Sequence, residues 1–292
     1  MKTLFLSTGP RAWRRLLLAA AGALAALALA GALAQGAISR EDRVALGPGS
    51  PGEPGAPPPG APKAGVVTAA QPGDHLIALT FDDGPDPRYT PQVLALLRRY
   101  GAHATFFVIG QEAERHPDLI RAIAASGNEV GIHGWSHRSF QRMDAATMER
   151  ELERSARLLE RVTGRPPRLF RPPFGRLNPT VLGVAGRLGL TVVLWTPGHD
   201  PFDWAGALPG LIVRRCCTGI RGGEIILLHD GGGDRRNTVR ALGTILDRLR
   251  AGRYEPLTVS AMLERSARLQ AGTPAPGGGT AVPAPPTGSG SR

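Results

Sequence analysis

The chain has 292 residues, 20% of them charged, and a formal net charge of +11. Its only two cysteines, Cys216 and Cys217, are adjacent, which excludes a disulfide-stapled scaffold and any CxxC zinc or redox motif. The positive charge does not point to nucleic acid: lysine occurs only at Lys2 and Lys63, the arginines are spread along the chain, and no basic cluster is interleaved with aromatics.

Residues 1–40 place Arg11, Arg14 and Arg15 ahead of an uncharged Ala/Leu-rich run from Leu16 to Ala34. A positive flank followed by an apolar run of this length predicts a signal peptide or an N-terminal membrane anchor, with the flank left in the cytoplasm. The small residues of "ALAQ" (32–35) suit signal-peptidase cleavage. Residues 41–74, with "GPGSPGEPGAPPPGAPKA" at 47–64, read as a Pro/Gly-rich linker, and 271–292 as a disordered tail of the same kind. The expected folded unit is 75–270, one monomeric domain, extracytoplasmic and either secreted or tethered at the cell envelope.

Within that unit short apolar runs alternate with helical patterns. "LIALTF" (76–81) is a strand, and the next helix opens at "YTPQVLALLRRYG" with Thr90 as expected N-cap and Gly101 past its end. Then come "ATFFVIG" (104–110) as strand, "HPDLIRAIAASG" as helix, "EVGIH" (129–133) as strand, and a long helix over 143–164 capped by Asp144. "RLF" (168–170), "TVVLW" (191–195) and "EIILLH" (224–229) are further strands, with helices near 178–188, 207–218, 237–251 and after Ser260. The cysteines fall on the second of these four, as thiols of a half-buried helix. Continuous apolar strands alternating with helices predict an α/β fold with a parallel sheet. Periodicity leaves an open doubly wound sheet and a closed barrel equally open. Both put chemistry at the C-terminal strand ends.

Those ends are rich in chemistry. Asp82 and Asp83 follow the first strand, His133 and His137 the third, and Arg171 the fourth. Asp200, Asp203 and Trp204 follow the fifth, and His229 with Asp230 the sixth. A lone histidine at a strand end is usually structural; recurrence at successive ends implies convergence in space. An Asp/His/His set with open positions suits a catalytic zinc ion. Neighbouring strand residues point different ways, so Asp82 and Asp83 are free to divide the labour, one on a metal and one towards a reacting water.

Five motifs in order, "TFDDGP", "HGWSH", "RPPFG", "DPFDW" and "LLHD", resemble the polysaccharide deacetylase family, the NodB-homology group of carbohydrate esterases, over roughly 75–265. The resemblance implies a distorted (β/α) barrel with fewer than eight full units. It also implies a metal-dependent hydrolase, most simply with Zn²⁺, that removes acetyl groups from N-acetylated glycans such as peptidoglycan or chitin-like polymers. By position it makes Asp83, His133 and His137 the metal ligands and Asp82 the general base, oriented by Arg171. It makes His229 the general acid, tuned by Asp203. It places Trp204 and Leu228 around the acetyl methyl and the backbone N–H of Phe174 on the oxyanion. Phe174 stands where tyrosine is frequent in the family, a change that a backbone role survives. His199 has no family role and reads as a loop or rim residue; Asp230, which follows the proposed acid, reads as a partner behind it or, more simply, as a cap of the glycine run at 231–233. Two alternatives stand beside this reading: an O-acetyl esterase of xylan type on the same scaffold, and an inactive glycan-binding module. The HExxH helix of common zinc peptidases is absent.

Overall fold

A computed structural model of the chain describes residues 65–71 and 75–271. The expected leader or anchor (1–40), the linker up to 64 and the tail from 272 lie outside the described residues, among which no helix is long and apolar enough to cross a membrane.

Eight strands form one sheet: β1 (Val66–Val67), β2 (Leu76–Asp82), β3 (Thr105–Val108), β4 (Glu129–Ile132), β5 (Leu169–Phe170), β6 (Thr191–Val193), β7 (Ile225–His229) and β8 (Glu255–Leu257). The order is β1-β6-β5-β4-β3-β2-β7, with β8 also on β2, and every ladder is parallel. The helices are α1 (Thr90–Tyr100), α2 (Gly110–Arg115), α3 (Pro117–Ala125), α4 (Ala145–Thr163), α5 (Pro179–Arg187), α6 (Pro209–Cys217), α7 (Arg236–Ala251) and α8 (Val259–Gln270).

The two ends of the sheet curl together without a continuous ladder. Ala69 bridges Glu224, Ala70 N–H donates to Gly223 O at 2.7 Å, and Thr196 N–H beyond β6 donates to Ile225 O of β7 at 3.0 Å. The result is a distorted, incompletely closed (β/α) barrel, which resolves what periodicity left open. Part of its seam lies in 65–71, which the sequence assigns to the linker: Val66 and Val67 pair with Val192 and Val193 and so belong to the sheet.

β2 is buried along its whole length, and its period-2 alternation decides which side chains reach the site. Ile77, Leu79 and Phe81 enter the main core with helix residues such as Val93, Leu97, Leu242 and Ile245. Thr80 and Asp82 take the other face, towards the barrel interior. The long helix α4 starts where Asp144 Oδ1 accepts from Thr147 N–H at 2.9 Å, as expected of a cap. Its buried face holds Met148, Leu152, Leu158 and Leu159, but also two polar residues, Glu151 and Ser155. At α1 the expected cap does not form. Thr90 is already helical, and its hydroxyl instead donates to Asp230 Oδ2 at 2.5 Å while accepting from Asp86 N–H at 2.8 Å. A buried long-range carboxylate outcompetes the local capping role.

Candidate active site

The first carboxylate sits where β2 ends. Asp82 pairs in register with His229 of β7, so both side chains face the interior at the C-terminal end of the sheet. Asp83 leaves the strand with φ 71°, in the left-handed region. That turn breaks the alternation and lets neighbouring carboxylates look into one site. Asp82 Oδ2 and Asp83 Oδ1 lie 3.8 and 3.4 Å from the same atom, His133 Nε2.

Arg171, from the "RPPFG" segment after β5, has no exposed surface. Its Nη1 donates to Asp82 Oδ1 at 2.7 Å and to Thr80 Oγ1 at 2.8 Å. Nε and Nη2 donate to the carbonyls of Val193 and Leu194, both at 3.1 Å, and the guanidinium lies over the Phe107 ring. Burial lowers its pKa, and Asp82 opposes the loss. The Arg171 carbonyl also serves the site, accepting from His133 Nδ1–H at 2.7 Å. With Nδ1 committed as donor, His133 presents the Nε2 lone pair towards Asp83.

His137, with φ 57° at the end of the "HGWSH" turn, brings Nε2 to 3.0 Å from Asp83 Oδ1. One ligand atom from each of Asp83, His133 and His137 lies within 4.8 Å of the others. Burial works against the Asp83 charge, but the two histidines hold its carboxyl well below the usual carboxylate range. Asp83 Oδ1 is nonetheless a buried oxygen without a hydrogen-bond partner, an arrangement that costs free energy unless a ligand completes it. An orphaned carboxylate oxygen converging with two imidazole nitrogens fits a divalent cation of zinc type.

Across the site, His229 Nδ1–H donates to Asp203 Oδ1 at 2.7 Å, leaving Nε2 as the outward nitrogen. Asp203 is buried and also accepts from His229 N–H, Thr238 Oγ1 and Trp204 N–H, each at 2.9 Å. Burial raises the Asp203 pKa, but the bonds and charge of His229, with the Thr238 bond, bring it below the ordinary aspartate value. For His229, burial favours the neutral ring. The Asp203 bond and charge, joined by Asp83 and Asp82, outweigh it and push the imidazole up to about 9. Arg235, buried, ties this side together by donating to the carbonyls of Gly231, Gly232 and Asp203.

Phe174, at φ 62°, is 56% exposed, with its ring 4.9 Å from that of His137. Trp204, next to Asp203, is 52% exposed, with Nε1–H donating to Asp200. Leu228 does not join them. It pairs with Phe81 and packs in the core beneath the helices, on the face opposite His229. By strand alternation it is Leu227, in register with Thr80, that shares the His229 face.

His199 lies in the loop after β6 but not at a rim: it is buried, with Nε2 at 2.9 Å from Glu224 and Nδ1 against the Arg215 carbonyl. Asp230 does not cap the glycine run either. It is fully buried behind the "DDGP" turn, where burial first, and then the charges of Asp83 and Asp82, push its pKa up to about 7 against the Thr90 bond. Glu151, which no sequence motif singles out, also bears on the site. Burial works against its charge, but bonds from Ser136, Arg138 and Trp135 hold its pKa below the ordinary glutamate value.

The polysaccharide deacetylase family model matches residues 69–193. A peptidoglycan-N-acetylglucosamine deacetylase of Bacillus cereus is 42% identical over 200 residues, covering 68% of this chain and 93% of that protein. The Bacillus subtilis peptidoglycan-N-acetylmuramic acid deacetylase PdaC is 35% identical over 66% of this chain and 40% of its own length. Among solved structures, the Bc1960 peptidoglycan N-acetylglucosamine deacetylase superposes with a TM-score of 0.66 at 28% identity, over 68% of this chain and 92% of that one. With these likenesses joined to the barrel and its strand-end constellation, the chain belongs to the polysaccharide deacetylase family and is a deacetylase enzyme of that kind.

Proposed function

We propose that this enzyme hydrolyses the N-acetyl group of N-acetylglucosamine residues in peptidoglycan, outside the cytoplasm, with a divalent cation, Zn²⁺, held by Asp83, His133 and His137. The observation that carries the reading is the division of the site into two oppositely tuned halves: a carboxylate fixed by Arg171 and an imidazole fixed by Asp203, facing each other across β2 and β7. Relatives named for N-acetylglucosamine and for N-acetylmuramic acid both support peptidoglycan as the polymer; the first of them, covered over 93% of its length, favours glucosamine.

When bound, such a cation polarises the acetyl carbonyl and lowers the pKa of water towards ~7. The remaining work falls to the chain. Asp82 has Oδ1 committed to Arg171, so Oδ2, 3.8 Å from His133 Nε2, is the oxygen free to take a proton. As the water oxygen bonds to the amide carbon, its proton passes to Asp82. His229, protonated at Nε2 and held through Nδ1 by Asp203, gives that proton to the amide nitrogen as the C–N bond breaks. Acetate and a free glucosamine amine result. Phe174 and Trp204 supply exposed aromatic faces on either side for sugar rings, and the Phe174 N–H serves as oxyanion donor.

Acetate release from peptidoglycan fragments and N-acetylglucosamine oligomers, with a chelator and after re-addition of zinc, tests the proposal. The expected result is release that the chelator stops and zinc restores. Release only from acetylated xylan would replace the amidase reading with an esterase one, and chelator-insensitive release would remove the metal.

A further inference from the structure

The two N–H groups in the middle of the "HGWSH" turn are held from outside the site by one side chain. Glu151 of α4 is the single acid on that helix's buried face, and its side chain is only 9% exposed. Oε2 accepts from the backbone N–H of Trp135 at 3.0 Å and of Ser136 at 3.2 Å. Oε1 accepts from Ser136 Oγ at 2.6 Å and from Arg138 Nη2 at 3.0 Å. One turn further along α4, Ser155 Oγ donates to the Gly134 carbonyl at 3.1 Å. The segment between the two imidazole ligands is thereby moored to α4, and His137 emerges from it in a left-handed conformation that non-glycine residues rarely adopt.

We infer that Glu151 is a positioning residue for the metal centre: by taking the two backbone N–H groups of the turn between His133 and His137, it holds His137 Nε2 at Asp83. The inference rests on the metal reading above. A largely buried carboxylate with four donors is a strong and directional anchor, because each bond is charge-assisted. Without it the N–H groups of Trp135 and Ser136 lose their acceptor, the turn relaxes from its strained backbone, and His137, more exposed than His133, loses its aim. His133 keeps its bond to the Arg171 carbonyl and Asp83 its place where β2 ends, so the loss falls on one ligand of three.

The test is zinc titration of the chelator-stripped full chain against a competing chromophoric chelator, with amide hydrogen exchange of residues 134–138 read on the metal-free protein. Glu151→Ala is expected to weaken zinc binding about 10–100-fold, the usual cost of losing a ligand's support, and to speed exchange at Trp135 and Ser136. Glu151→Gln, whose amide oxygen still accepts both N–H groups, is expected to recover most of the affinity. Leu158→Ala, a buried apolar truncation on the same helix, is expected to lower the unfolding midpoint and leave zinc affinity alone. Wild-type affinity and exchange in Glu151→Ala overturn the inference, as does an equal affinity loss in Leu158→Ala. Should Glu151→Ala not fold, Ser136→Ala takes its place: a loss of about threefold or more in affinity supports the anchor, and none overturns it. A wild-type chain that binds no zinc refutes the metal reading itself and this inference with it, and that outcome is distinct because it appears before any substitution is made.

Discussion

Arg171 and Asp82 meet at 2.7 Å with side-chain exposures of 0% and 4%, so each is the other's buried counter-charge. Removing one partner of such a pair strands the other in a medium that solvates charge poorly, at a cost of about 3–5 kcal/mol. Arg171→Met is therefore expected to lower the urea midpoint by a corresponding amount and to abolish activity. The double variant Arg171→Met/Asp82→Asn leaves no orphan charge, so it is expected to regain much of the stability and none of the activity. Equal stability losses in the single and double variants would show that packing against Phe107, not charge pairing, is what Arg171 supplies.

Under the proposed function, the His229–Asp203 pair is expected to set the alkaline side of the pH profile. A group whose folded pKa is raised, here from 6.5 to about 9, adds stability that is complete below 6.5 and lost as pH rises through 9. In the proposed reaction the same proton is the one donated to the leaving amine, so activity is expected to fall on that limb too. A bound cation opposes the contributions of Asp83 and Asp82 and brings the limb below 9 in the loaded enzyme. Asp203→Asn removes the main opposing charge, so at equal zinc loading it is expected to move the limb further down, towards 6.5, and to lower kcat more than it raises KM. A limb that stays in place in Asp203→Asn would assign the alkaline loss to another group.

The strand ends were legible because parallel strands buried on both faces read as unbroken apolar runs, and charge placed just beyond them stands out: Asp82, Asp83, His133, Arg171 and His229 need no partner to be noticed. What was not legible depended on partners far away in the chain. Thr90 reads as a local cap until Asp230, 140 positions on, takes its hydroxyl. His199 reads as a loop residue until Glu224 is folded against it. Leu228 reads as a site residue from its motif but stands one position from Leu227, and in a strand one position exchanges the core face for the site face. Two-residue β1 and three-residue β8 are too short to show a period, and both are held by pairing rather than propensity. One further signal does lie in the sequence: Glu151 and Ser155 interrupt the apolar stripe of α4 at helical spacing, and a polar pair on a buried face implies something polar to hold.

Ligand binding that is confined to the folded state stabilises it by mass action, about 2.7 kcal/mol at a hundredfold excess over Kd. Zinc is accordingly expected to raise the melting temperature of the chelator-stripped wild type. The Asp83→Asn and His133→Ala variants are expected to melt at the same temperature with and without it. A zinc-induced rise that survives in both variants would place the ion elsewhere on the chain.

Gly232 offers a test that touches no ligand. It has φ +70°, and a Cβ added there would lie 2.5 Å from Asp83 Oδ2 and 3.0 Å from Asp83 Cβ. Gly232→Ala thus carries two costs: roughly 1–2 kcal/mol for a left-handed alanine, and displacement of the Asp83 carboxylate from its place beside His133 and His137. Gly101→Ala is the matched control, with φ +62° and nothing within 4 Å of the new methyl. Both variants are expected to lose stability, Gly232→Ala the more of the two, but only Gly232→Ala is expected to lose zinc affinity, by about tenfold or more, as misplacement of a ligand implies. Zinc titration beside urea unfolding separates the two effects, and equal affinities in the two variants would mean that the Asp83 position tolerates displacement and that the site is held less tightly than its geometry implies.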